Sequence, residues 1–294
     1  MSDSSINRLS MAKSEGKRLR KTVDRSDHAK LELPKDRDVL GLIHQRNEGR
    51  IPELIPVRMQ RMSASPFAFF RGSADLMAYD LTASPNIGLN MVICGDAHLA
   101  NFGLFASPER RVLFDLNDFD ESSVGPWEWD IKRLATSAVL AAREGDVHAD
   151  DDEARDIVIN LVNNYQDAIA ELAEKTILDR FYSDIDAQWV SEHAGNRDSD
   201  FIGKSIDKAR SRTSLQAVRK IATFTDKRGL HFQSDPPILV PVTDEEEVDN
   251  MIASFDTYVR NLPPATNLLL KQFRLVDVAR RVVGVGSVGT HSLV

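Results

Sequence analysis

Two short polar stretches hold the residues best suited to chemistry. Asp96, His98 and Asn101 lie in the loop Gly95 to Gly103, while Asp115 leads into a second loop, Asn117 to Gly125, that carries Asn117, Asp118, Asp120 and Glu121. Apolar runs precede both loops, and Met91 to Cys94 and Arg111 to Leu116 read as strands. Two strand ends can therefore bring carboxylates and amides to one mouth. Converging oxygen ligands suit Mg2+, a hard cation commonly held by one or two carboxylates together with substrate phosphates. Each residue also has a plainer reading, because Asp and Asn favour hydrogen-bonded turns. Asp115 fits a structural role as readily as a functional one.

Asn101 follows Asp96 by five positions, the spacing of the kinase catalytic loop, in which Asp accepts a hydroxyl proton and Asn binds a metal. A second metal-binding Asp belongs after the next strand, and Asp118 of Asp118-Phe119-Asp120 stands there. GDAHLAN, Gly95 to Asn101, resembles the G-D-x-H-x-x-N loop of aminoglycoside and choline kinases. NDFDESSVGPWEWD, Asn117 to Asp130, resembles the segment that follows it in those enzymes. The longer stretch from SPFAFFRGSADLMAYDL through GPWEWDIKRLA is similar to the bacterial family called domain of unknown function 2252, and the likeness extends from about Gly16 to Thr290.

These resemblances imply an α+β fold: a mostly helical, kinase-like C-terminal lobe with small β hairpins, circularly permuted and lacking most of the nucleotide-covering lobe. They imply an ATP- and Mg2+-dependent phosphotransferase acting on a small molecule. Asp96 would orient or deprotonate the acceptor hydroxyl, Asn101 and Asp118 would coordinate Mg2+, and His98 would brace the loop. Asp120 and Glu121 would take a second metal or a cationic acceptor, and Asp130 would support the catalytic loop by hydrogen bonding. Cys94 stands where many relatives of the kinase superfamily have His, so the bracing must differ.

Gly284, Gly286 and Gly289 form a G-x-G-x-x-G run, whose glycines let backbone N–H groups approach ATP phosphates. Ordinary kinases place such a loop before the catalytic Asp, and here it follows Asp96. A chance turn and a circular permutation both account for that order. The sequence stops at Val294 without a strand-borne lysine for the α/β-phosphates, unless Lys271 substitutes. The expectation is a truncated chain with reduced or absent phosphotransfer.

The supporting elements divide into a disordered basic arm over 1–34, a catalytic lobe over 35–262 and the start of a β lobe over 263–294. The arm contains GKRLRKTVDR, Gly16 to Arg25, read as solvated or as a clamp for an anionic partner. Arg71 precedes a helical pattern through Leu76, Met77 and Tyr79, where it either grips phosphate or pairs with a loop carboxylate. Trp127 to Ala142 reads as a helix opened by Pro126, with Ile131, Leu134, Ala135 and Val139 inward, followed by an acidic loop over Glu144 to Glu153. Ile157 to Leu172 reads as a long amphipathic helix, and helices continue over Thr176 to Trp189 and, past the polar loop HAGNRDSD, over Phe201 to Arg212. Lys204, Lys208, Arg210, Arg212, Arg219 and Lys220 make a basic patch that is either a solvated face or a phosphate anchor. A hairpin turns near Asp226 to Gly229, and Asp244 to Arg260 reads as a helix with Thr243 as its cap.

Composition narrows the partners. The net charge of -8 argues against non-specific nucleic-acid binding, and no run of about 18 apolar residues exists to span a membrane. The single Cys94 cannot form an internal disulfide, and no secretory signal is evident, which points to the cytoplasm. The expected partner is a small-molecule or nucleotide ligand, with the oligomeric state open. A non-catalytic nucleotide- or partner-binding module is the main alternative. A metallohydrolase is weaker, because His148, His193 and His231 stand in surroundings unlike those of His98, and such sites need several His ligands. A dinucleotide-binding dehydrogenase is weaker still, since its glycines should open a βαβ unit.

Overall fold

The computed structural model describes residues 3–145, 148–193, 199–211, 214–227, 229–282 and 284–294. Residues 146 and 147 of the acidic loop, 194–198 of the polar loop, Arg212 and the side chain of Arg210 lie outside the described residues. The fold is α+β, with small antiparallel two-stranded sheets among many helices.

The N-terminal stretch expected to be disordered instead forms α1 (Asp3–Thr22). It is rich in good helix formers and free of proline, and Glu15 pairs with Arg18 at 2.5 Å one turn apart. Next comes α2 (Val39–Asn47), started by Asp38, whose carboxylate accepts the Gly41 N–H, and then α3 (Ile55–Met62). Ser65 caps α4 (Pro66–Arg71), with Pro66 in its first turn, so the aromatic run is itself helical. Arg71 ends that helix just ahead of α5 (Ala74–Leu81).

Four strands follow: β1 (Asn90–Ile93), β2 (Phe102–Ala106), β3 (Val112–Leu116) and β4 (Ser123–Pro126). β4 and the first two residues of β2 occupy ground that the sequence reading assigns to loops. Pro126 closes β4 opposite Asn90 rather than opening a helix, a strand-end position that tolerates its missing N–H. β2 pairs with β3, and β1 pairs with β4 outside them, so one hairpin is nested in another.

The helix after β4 is α6 (Glu128–Glu144). Asp150 and Glu153 form a capping box on α7 (Asp151–Glu174), which draws the end of the expected acidic loop into the helix. The helical stretch expected over Thr176 to Trp189 consists of α8 (Ile177–Phe181) and α9 (Ala187–His193) with a break between them. Between them the chain is extended, because the Ile185 carbonyl accepts from the Phe114 N–H at 2.8 Å and Asp186 bridges Leu113 on β3. α10 (Ser199–Ser211) completes this part and packs on β2 and β3.

The remaining elements are α11 (Ser214–Ile221), β5 (Ala222–Thr225), β6 (Gly229–Phe232), β7 (Leu239–Pro241), α12 (Glu245–Arg260), α13 (Pro264–Leu270) and β8 (Ala279–Arg281). β5 and β6 form the expected hairpin. The cap of α12 is Asp244, whose carboxylate accepts the Glu247 N–H, and not Thr243.

The chain divides into two compact units, residues 1–48 with 61–211 and residues 49–60 with 212–294. These boundaries differ from those expected at 34 and 262. The physical reason is that 49–60 belongs to the second unit's core, where Ile51 and Leu54 pack with Val282 and Val288 and are flanked by Val57. Within that unit, the chain after β8 turns through Gly284 to Gly289 and returns, so Leu293 bridges Arg280. Among the described residues, no helix is long and apolar enough to cross a membrane.

Candidate functional site

In the first unit, strand register sets two loops side by side. Ile93 pairs with Ser123 at one end and Phe102 pairs with Leu116 at the other. The segments 94–101 and 117–122 therefore run between the same two small sheets in opposite chain directions. Three further contacts stitch them together. The Asn117 N–H donates to the Asn101 carbonyl at 2.8 Å, the Asn101 Nδ2 group donates to the Asp118 carbonyl at 3.0 Å, and the Cys94 Sγ lies 3.5 Å from that same carbonyl. Asn101 Nδ2 also donates to the Asp96 carbonyl at 3.1 Å.

The loop crossing leaves no room at Gly95. Its φ is +78°, and a Cβ there would run into the Glu121 carbonyl oxygen. Gly95→Ala is therefore expected to destabilise the protein near the upper end of about 1–3 kcal/mol, the usual cost of a strained backbone position. Urea unfolding checks this, and a loss below about 1 kcal/mol would contradict the close loop crossing.

Helix α6 holds the first loop from beneath. Asp130 accepts the Cys94 N–H at 2.7 Å and the Gly95 N–H at 2.9 Å, one on each carboxylate oxygen. One turn on, Arg133 is 2% exposed and binds Asp96 Oδ1 through Nε at 2.6 Å and its terminal nitrogen at 2.5 Å. Arg133 also donates to the Phe70 carbonyl at 2.8 Å and stacks 4.3 Å from the Phe70 ring centre. A turn further, Ser137 Oγ accepts the Leu99 N–H at 3.0 Å. Asp130, Arg133 and Ser137 thus make a polar stripe on the face turned to the loop.

Sequence reasoning selects Asp130 and misses Arg133 and Ser137. The available signal was their helical spacing from Asp130, which was passed over for the apolar stripe through Ile131 and Leu134. Of the α6 residues, Glu128, Arg133, Ser137 and Ala138 are the buried ones.

Burial pushes the Asp96 carboxyl up to about 6, against the opposing pull of Arg133, with Glu121 and Asp118 adding to the rise. Only its Oδ1 is gripped by Arg133, while Oδ2 lies 3.6 Å from His98 Nε2. Burial pushes the His98 imidazole down to about 4, helped by the charges of Arg133 and Arg71, so the ring is neutral at pH 7. Its Nδ1 is buried without a hydrogen-bond partner, as is Asn101 Oδ1.

The other sequence candidates fall into three groups. Asp118 and Asp120 are exposed at the turn of the second loop, with Asp118 Oδ1 accepting the Asp120 N–H at 3.2 Å. Glu121 is ion-paired to Arg46 of α2, and Asp115 is exposed and accepts the Leu116 N–H at 2.8 Å. Arg71 lies on the His98 side of the loop and makes no ion pair among the described residues, so the alternative that it serves a loop carboxylate is not realised.

Gly284, Gly286 and Gly289 belong to the second unit. Gly289 has φ +88° and is closely packed, a Cβ there falling 3.3 Å from Arg50 Cβ, and its carbonyl accepts the Ile51 N–H at 2.9 Å. Gly284 has φ +67° at the exposed start of the turn. Packing alone accounts for Gly289.

Among the described residues no three His, Cys, Asp or Glu side chains gather as a metal cluster, as a binuclear hydrolase centre would need. A Mg2+ site makes a smaller demand, because one carboxylate, one amide oxygen and substrate phosphates suffice. The buried, unpartnered Asn101 Oδ1 and the exposed Asp118 carboxylate supply hard oxygen donors of that kind.

Nested hairpins, a partly buried Asp–Arg pair and two loops bound together at paired strand ends define an α+β protein with a polar site in its first unit. Residues 50–294 match the family model described as "Uncharacterized protein conserved in bacteria (DUF2252)", and the chain belongs to that family. No curated protein and no solved structure matches it.

Proposed function

We propose that the chain is a kinase-like, Mg2+- and ATP-dependent phosphotransferase acting on a hydroxyl group of a small molecule. The observation that carries this reading is Asn101. Its amide nitrogen ties the backbone carbonyls of Asp96 and Asp118 across the two loops, and its oxygen is left buried without a donor. An unmet buried acceptor is costly, and a cation coordinated by Asn101 and Asp118 would satisfy it. When bound, Mg2+ would neutralise phosphate charge.

The chain's own residues then divide the work. Arg133 fixes Asp96 through Oδ1, and Oδ2 is the oxygen available to an acceptor hydroxyl. A carboxyl raised to about 6 is better matched to proton transfer near neutral pH than an ordinary Asp, and it is still mainly ionised at pH 7. Asp130 holds the Gly95 backbone still beneath it. This mechanism runs on residues of the first unit alone.

Mg·ATP is expected to raise the thermal midpoint of the full chain, EDTA to remove the shift, and Asp118→Asn to weaken binding at least about tenfold, or 1.4 kcal/mol. The loop tie uses the Asp118 carbonyl and not its side chain, so this variant leaves the fold intact. No response to Mg·ATP would sink the reading.

A second reading, nucleotide binding without transfer, is favoured by one observation: two Arg133 nitrogens grip the candidate base. Mg·ATP would then bind, and substitution of Asp96 would change no turnover.

A further inference from the structure

Most arginines near the candidate site have partners. Arg133 holds Asp96 and Arg46 holds Glu121. Arg71 has no carboxylate and no hydrogen-bond partner among the described residues, and its Nε is buried. A partly buried guanidinium left unpaired in a chain of net charge -8 is a desolvation cost without compensation among the described residues.

Its placement suggests what the compensation is. Phe67 and Arg71 are one turn apart on the same face of α4. The Phe67 ring meets His98 edge-on with centroids 6.3 Å apart. The neighbouring Phe70 carries Arg133, which holds Asp96. Arg71 is thereby delivered to the flank of the loop occupied by His98, a residue only 6% exposed whose Nδ1 lacks a partner among the described residues. With its proton on Nδ1, the neutral ring is a donor. A buried guanidinium N–H and a ring nitrogen that can donate, neither with a partner among the described residues, thus share one flank, next to the Asp96 oxygen that Arg133 does not hold.

The geometry points to an oxyanion subsite formed by Arg71 and His98 beside Asp96, and so to an acceptor bearing a carboxylate or phosphate close to its reacting hydroxyl. A hydroxy acid and a phosphorylated alcohol both carry this chemistry, and it is opposite in charge to choline or an aminoglycoside. The acceptor assignment rests on the phosphotransferase reading, whereas the anion subsite does not.

The test is calorimetric titration of the nucleotide-free full chain at constant ionic strength with sodium phosphate, with sodium glycerate, and with choline chloride as the cationic counter-probe. Saturable binding of phosphate or glycerate is expected, whichever is tighter naming the class, with no binding of choline. Arg71→Gln should weaken the anion at least tenfold and Arg71→Lys should retain part of the affinity. Because Arg71 has no partner among the described residues, Arg71→Gln should leave the thermal midpoint unchanged or higher. Binding that survives Arg71→Gln, binding of choline instead, or a lowered midpoint would overturn the subsite. A repeat with Mg·ATP present separates the sources: unchanged phosphate affinity supports the acceptor side, and competition would hand the subsite to the nucleotide and overturn the acceptor claim. If phosphate binds through Arg71 while Mg·ATP never binds, the phosphotransferase reading falls with its acceptor and the anion subsite stands.

Discussion

Arg133→Met is expected to destabilise the protein by about 3 kcal/mol at pH 7, the lower end of the cost of breaking a buried ion pair, because the Asp96 side chain keeps 21% exposure. Methionine keeps much of the side chain's bulk, so the loss reports the missing donor to Asp96 and to the Phe70 carbonyl more than a cavity, with about 1.4 kcal/mol of it from the Asp96 charge, which can take a proton instead. The deficit should shrink at pH 5, and the sign follows from the proton balance. In the wild type, the Asp96 carboxyl sits at about 6 against an ordinary 3.8, so the native state keeps a proton that the unfolded chain has released. Its contribution is full below 3.8 and is lost as pH rises through 6.

His98 does the reverse, at about 4 against an ordinary 6.5, so its contribution is full above 6.5 and is lost as pH falls through 4. Each slope is about 1.4 kcal/mol per pH unit, and between about 4 and 6 the two nearly cancel. Removing the Arg133 charge takes away a pull that lowers both groups. Asp96 then rises beyond 6 and His98 climbs back towards 6.5, leaving a slope in which stability falls from pH 5 to pH 7. Chemical unfolding at the two pH values decides the matter. Equal deficits at both, or a deficit under about 1 kcal/mol at pH 7, would show that the pair does not carry the loop.

Asp96→Asn should cut Mg·ATP-dependent ADP release by about a thousandfold, within the range by which a positioned acid or base contributes to rate. Asparagine keeps an oxygen for Arg133 and removes the charge that accepts a proton, so the loop should stay in place. Mg·ATP binding should persist, because Asn101 and Asp118 are untouched. Turnover above a tenth of the wild type would remove Asp96 from the chemistry, and loss of Mg·ATP binding would make it part of the nucleotide site instead. Circular dichroism on the variant separates either result from unfolding.

Much of the frame was legible because it is local. The G-D-x-H-x-x-N spacing, the helix from Trp127 onward, the 244–260 helix and the hairpin about Gly229 all follow from patterns a few residues long. The α+β class follows from them. Asp130 was also within reach, and its two hydrogen bonds to the loop backbone match the supporting role that the resemblance implies. The misses share a different origin. Ser123 to Pro126 has little strand signal of its own and is extended because Asn90 to Ile93 pairs with it from thirty or more positions away. The break after α8 arises in the same way, from the hold of Phe114 on the Ile185 carbonyl.

The sequence by itself determined which groups were available for chemistry and the intervals between them, since side-chain type and short-range spacing need no folded partner. Tertiary structure alone decided that Asp96 is raised rather than lowered beside an arginine, that Asn101 ties the two loops with one end of its amide and leaves the other unmet, and that Arg71 meets no acid among the described residues. The physical reason is that pKa, hydrogen-bond satisfaction and desolvation depend on what surrounds a group in space, and those neighbours come from α4, α6 and the second loop, far apart along the chain.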